Sequence, residues 1–101
     1  MPVPTVFAVK DTAEKVNLTF DFTSLLGAET ISIATCAVTV VFGTDATPNA
    51  ILNGATVIAA GVVKQPVQAG VNAVDYDVKC TVTTSAARIL VKTGILPVRT
   101  L

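Results

Sequence analysis

Few side chains in this chain can do chemistry, and their spacing limits what they could do. There is no histidine, so the commonest general base, proton shuttle and metal ligand is missing. Ser24, Ser32 and Ser85 are the only serines, and a triad built on one of them would need a lysine base. No Ser-x-x-Lys spacing occurs, which argues against a hydrolase. Asp75 and Asp77 stand two apart at the start of a strand-like run, so both carboxylates leave one face. With Asp45 or a backbone carbonyl such a pair could hold calcium. The plainer reading is a pair of solvated strand-edge charges that discourage edge pairing. Cys36 and Cys80, the only cysteines, are too few for a zinc site without histidine partners. They could bridge if their strands face each other across a sandwich, but a cytosolic origin favours two buried thiols. Gly43, Gly54, Gly61, Gly70 and Gly94 punctuate strands, and none forms a phosphate-binding loop before a helix. The expectation is therefore no catalytic residue, no cofactor and no metal.

Composition narrows the partners. Of 101 residues, 51% are hydrophobic and 14% charged, with seven basic and seven acidic side chains. An ordinary soluble domain carries about 25% charged residues. Zero net charge without basic clusters argues against nucleic acid, whose phosphates must be neutralised, and against an acidic membrane surface. No apolar run approaches the ~20 residues of a membrane span. The opening MPVPTVFAVKD lacks a basic stretch followed by a long apolar one, so synthesis in a reducing cytoplasm is expected. One tyrosine, four phenylalanines and no tryptophan leave little for a carbohydrate platform or a base-stacking surface. A charge-poor exterior rich in Thr and Ala suits association with other proteins, where contact cores are depleted of charge.

The elements that must position these residues read as strands. Val16, Leu18, Phe20 and Phe22 alternate with Asn17, Thr19 and Asp21, which makes a strand with one buried side. Tyr76, Val78, Cys80 and Val82 alternate in the same way with Asp77, Lys79, Thr81 and Thr83. Val3 to Val9 is a candidate edge strand, because Pro2 and Pro4 cannot donate to a ladder. Thr30 to Ile33 and Cys36 to Phe42 flank an expected bend at Ala34 and Thr35. Asn53-Gly54, between Ile51-Leu52 and Thr56-Val57-Ile58, predicts a two-residue type I′ hairpin, and it is the candidate interaction loop. Pro66 demotes Val62 to Gln68 to an edge or bulged strand. Gly70-Val71-Asn72 predicts a turn, and Ile89 to Val98 a last strand interrupted near Gly94. Thr23 to Gly27 and Thr12 to Lys15 could each give one helical turn. Lys10, Asp11, Glu14 and Lys15 read as a solvated mixed-charge turn. Short strands with turns between them predict one all-β domain over residues 1–101, an immunoglobulin-like β-sandwich of about seven short antiparallel strands. Tyr76 lies four residues before Cys80, where antibody domains use a spacing of two.

Several of these motifs resemble a family. VKDTAEKVNLTFDFTSLL followed by ETIS resembles small immunoglobulin-like virion proteins of tailed bacteriophages, through Lys10-Asp11, the strand Leu18 to Asp21, Leu25-Leu26 and Glu29-Thr30-Ile31. Tyr76 to Ser85, Arg88 and Leu96-Pro97-Val98 resemble the family's Tyr-x-Val strand, its Thr-Ser-x-Gly-Arg turn and its final strand. Thr12 stands where the family often has proline, and the tryptophans are missing. Ala87 replaces the turn glycine, which predicts a different hairpin shape, because alanine tolerates positive φ poorly. The resemblance implies a non-enzymatic virion part, made in the host cytoplasm and oligomeric in the particle. Its partners would be other phage structural proteins, as a fibre–tail adaptor at the neck or tail. A capsid decoration protein is the alternative, and a receptor- or glycan-binding module the third reading.

Overall fold

The computed structural model describes residues 5–101. Its strands are β1 (Thr5–Val6), β2 (Lys10–Asp11), β3 (Val16–Asp21), β4 (Ile31–Phe42), β5 (Val57–Ala59), β6 (Val62–Val67), β7 (Val74–Thr84) and β8 (Ile89–Arg99). One helical turn, α1 (Thr23–Leu26), follows β3, and a 3-10 turn (Pro48–Ile51) follows β4. The strands make two sheets, one ordered β1-β8-β7-β4 with β2 also beside β8, the other ordered β3-β6-β5. Between them lies the core: Leu18, Phe20 and Phe22 from β3 and its end, Val63 and Val67 from β6, and the inward side of β7. This is an all-β sandwich.

The two alternating runs behave as their period dictates. Tyr76, Val78, Cys80 and Val82 are fully buried, and so is Phe22, while Phe20 and Leu18 are nearly so. Not every strand is antiparallel, however. Thr5 pairs with Gly94 and Lys10 with Val98 in parallel register. A parallel pair needs a long connection, and here the rest of the sandwich is that connection. Val3, Pro2 and Pro4 lie outside the described residues. Gly94 does not interrupt β8. It makes room for Phe7, whose ring edge at Cε2 and Cζ would clash with a Cβ at that position. Phe7 in turn packs edge-on against Phe20, ring centroids 5.6 Å apart.

Other local expectations are corrected by tertiary context. β4 runs straight through Ala34 and Thr35, which pair with Val82 and Thr81, and its irregularities fall between Ile31 and Ile33 and between Val40 and Phe42. The hairpin joining β5 to β6 turns at Ala60-Gly61, with φ of 53° and 106° and Ala59 opposite Val62. Both central residues are therefore left-handed, as a type I′ turn requires. Asn53-Gly54 is no hairpin. Leu52 bridges Val67, and the Asn53 N–H donates to the Pro66 carbonyl at 2.9 Å. That contact also explains Pro66 in a strand that is central in its sheet. A residue's N–H and C=O leave a strand on the same side, so the missing donor faces Asn53, beyond the end of β5, where no ladder bond is lost. Thr12 to Lys15 forms a turn without a helix.

Candidate docking surfaces

The structure brings the two halves of the sequence motif together. Glu29, ahead of β4, forms an ion pair with Arg88 at 2.6 Å, and the Thr84 hydroxyl donates to Glu29 Oε1 at 2.6 Å. Arg88 Nη2 also donates to the Leu25 carbonyl at 2.9 Å. Thr30 and Ser85 close the contact: the Ser85 N–H donates to the Thr30 carbonyl, and the Thr30 N–H to Ser85 Oγ. Arg88 and the Thr84 hydroxyl hold the Glu29 carboxyl below the usual carboxylate range. This clasp holds the β7–β8 hairpin against the end of α1. The hairpin itself is a type I turn, with the Ala87 N–H on the Thr84 carbonyl, followed by Ala87 at φ 62°. Ala87 therefore takes the left-handed conformation expected of glycine and keeps the three-residue loop shape. The predicted change of hairpin shape is corrected: the clasp outweighs the local strain.

Next to the clasp, the outer face of the five-stranded sheet carries no charge. Ile33, Thr83 and Ile89 form one cross-strand row, and Thr35, Thr81 and Val91 the next. Ile33 is 59% exposed, Ile89 69% and Val91 45%. Further along the same face the rows turn polar, with Lys79, Asp77 and then Asp75. The sequence pattern of β7 marks its outward side as Asp, Lys and Thr, but the apolar rows come from neighbouring strands. They become visible only once the register is known.

The candidate loop residues Asn53 and Gly54 lie elsewhere, along the free edge of β4. Ala34, Cys36, Leu52, Gly54, Thr56 and Gln65 line a groove of about 290 Å³ there. Gln65 occupies an inward position between Val63 and Val67 and is buried. Its Nε2 donates to the carbonyls of Gly54 at 3.0 Å and Pro66 at 2.8 Å, pinning the loop. Sequence reasoning overlooked Gln65, although its parity among the valines of β6 was the available signal. The β4 edge is capped as well, for the Val38 N–H donates to Asn49 Oδ1 and the Thr56 hydroxyl to the Ala34 carbonyl.

The remaining polar candidates are occupied by structural roles. Asp75 and Asp77 share the outward face, but Asp75 pairs with Arg99 at 2.8 Å. Asp45 is on the inward side, accepting from the Tyr76 hydroxyl at 2.8 Å and from the Thr47 N–H. The three are therefore not brought together, and no metal-type cluster occurs among the described residues. The Tyr76 hydroxyl also accepts from the Val71 N–H at 2.8 Å, a bond of tyrosine-corner type. Lys10 is not solvated but buried. Its Nζ donates to the carbonyls of Asp11 at 2.8 Å and Ala69 at 2.7 Å, tying β2 to the turn before β7. Cys36 and Cys80 stand side by side in one sheet, directly opposite each other on β4 and β7, and not across the sandwich. Cys80 is in the core, and Cys36 is only half-buried.

No curated protein gives a match. Residues 10–97 match the model of a family described as podophage GP4 fiber-tail adaptor protein gp77. The matched span runs from the buried Lys10 through both halves of the clasp to the last strand. The chain belongs to that fibre–tail adaptor family, whose members are structural parts of the phage tail.

Proposed function

We propose that this chain, folded as one unit over residues 1–101, is a non-enzymatic docking block between the tail and its fibre. The observation that carries this reading is the uncharged row pair on the five-stranded sheet, with Ile33, Ile89 and Val91 exposed beside a clasp that fixes their geometry. An apolar surface free of charge fits the centre of a protein–protein contact, with Lys79 and Asp77 placed to serve as its polar rim. The capped β4 edge favours contact through the face over strand addition. The loop at Asn53 and Gly54 is the second contact in this reading, and several copies sit around the tail axis.

The test is incorporation into particles. Ile89→Lys and Ile33→Asp should fold with an unchanged Tm, because both side chains are exposed, and should be lost from purified virions. Normal incorporation of both variants would remove the face from the mechanism. Asn53→Ala examines the loop in the same assay, and unchanged incorporation would remove it. A particle reconstruction with copies following the icosahedral shell would favour capsid decoration instead.

A further inference from the structure

Cys36 and Cys80 lie opposite each other on neighbouring antiparallel strands. The Val38 N–H leaves β4 on the side away from β7, to reach Asn49. Alternation along the strand then makes Val38–Val78 and Cys36–Cys80 non-hydrogen-bonded pairs, in which Cα atoms approach to about 4.5 Å and side chains are closest. A disulfide requires Cα atoms about 4.4–6.8 Å apart with both side chains on one face. This pair meets both conditions. It also has an entrance, because Cys36 lines the groove between the β4 edge and the loop at Gly54, while Cys80 is sealed in the core.

We infer that Cys36 and Cys80 form a cross-strand disulfide when the assembled protein meets a low-molecular-weight disulfide, Cys36 reacting first and Cys80 resolving it. The Cys36 sulfur, as thiolate, attacks one sulfur of the small disulfide, breaking its S–S bond and releasing one small thiol. The Cys80 sulfur gives up its proton and attacks the Cys36 sulfur, releasing the second. The two cysteines are oxidised, and the small disulfide is reduced to two thiols. Polarity of the pair agrees with this order: hydrogen bonding from Cys80 holds the Cys36 thiol below its ordinary value, while the same contact and burial push Cys80 up. A virion passes from a reducing cell to surroundings where such disulfides persist. The inference rests on the strand register and the groove, and it stands or falls apart from the docking face.

The test treats the reduced full-length chain with oxidised glutathione, followed by alkylation and intact-mass and peptide mass spectrometry. The expected product is a monomer that has lost its two thiol hydrogens, resists alkylation and melts roughly 10 °C higher, reversibly with dithiothreitol. Cys80→Ala should stop at a stable glutathione adduct on Cys36, and Cys36→Ala should leave Cys80 unmodified. Should Cys80→Ala fail to fold, the wild-type time course still decides, by showing a transient adduct mapped to Cys36. A persistent adduct in the wild type, a disulfide-linked dimer, or two thiols that stay alkylatable would overturn the inference.

Discussion

Ala60, Ala69, Ala73 and Ala87 all hold positive φ, from 53° to 67°. An L-residue in that region costs about 1–2 kcal/mol, so each persists because its surroundings demand it. At Ala87 the demand comes from the Glu29–Arg88 clasp and the bonds on Thr84. Glycine there would remove the strain while loosening the unfolded chain, so Ala87→Gly should stabilise by about 1 kcal/mol net. In a domain of this size that is a Tm rise of about 4–8 °C, and a fall would mean that the clasp does not set the turn. Lys10 is the opposite case, a charged group kept by two carbonyls. Lys10→Met retains the stem but leaves the Asp11 and Ala69 carbonyls without their donor. It should cost about 2 kcal/mol, measured by denaturant unfolding.

Among the elements, β8 is the organiser, since it pairs with β7 on one side and with β1 and β2 on the other. Gly94 is the position where the sheet admits Phe7. Gly94→Ala would push the Phe7 ring off Phe20 and loosen β1, at a cost of about 1–3 kcal/mol. Faster amide exchange at Phe7, whose N–H donates to the Ile95 carbonyl at 2.8 Å, would report the same event. Elements with their own period could be read directly: β3 and β7 alternate, and one face of each is buried. Glycine and proline signals misled where a partner distant in sequence decides the outcome. Asn53-Gly54 is spent on pinning a loop to Pro66 and Gln65, while the actual hairpin uses Ala60-Gly61, a weaker local signal. Gly94 reads as a break and is a socket. The cysteines read as two buried thiols that could meet only across the sandwich, and only the register shows them adjacent in one sheet. The candidate face was predictable as chemistry and not as a place, because its residues come from three strands.

Across the whole molecule, the carboxylates set the response to acid. Asp11 is held below the usual carboxylate range by the N–H groups of Leu101 and Ala13, and Asp21 by the hydroxyl and N–H of Thr23. Arg88 does the same for Glu29, and the Thr47 N–H with the Tyr76 hydroxyl for Asp45. Each binds its proton more weakly folded than unfolded. Their stabilisation is therefore complete above the unfolded range near ~4 and is lost as pH falls through the lowered folded values. The Tm should hold steady from about pH 7 to about pH 5 and drop below about pH 4. With no histidine in the chain, no step is expected near pH 6. A step there in a melting series would contradict this account.

The parallel pairing of Thr5 with Gly94 and Lys10 with Val98 also has a consequence in time. A ribosome adds about 5–20 residues per second, so β1 waits about 5–20 s for its partner strand to be made. Throughout that interval the growing chain carries β1 unpaired, and the sheet that holds the exposed Ile33, Ile89 and Val91 lacks its organiser. The fold can then close only once β8 has been made, and a rate dominated by such distant pairings is slow. Nascent chains arrested before residue 94 should remain protease-sensitive, whereas the released chain becomes resistant.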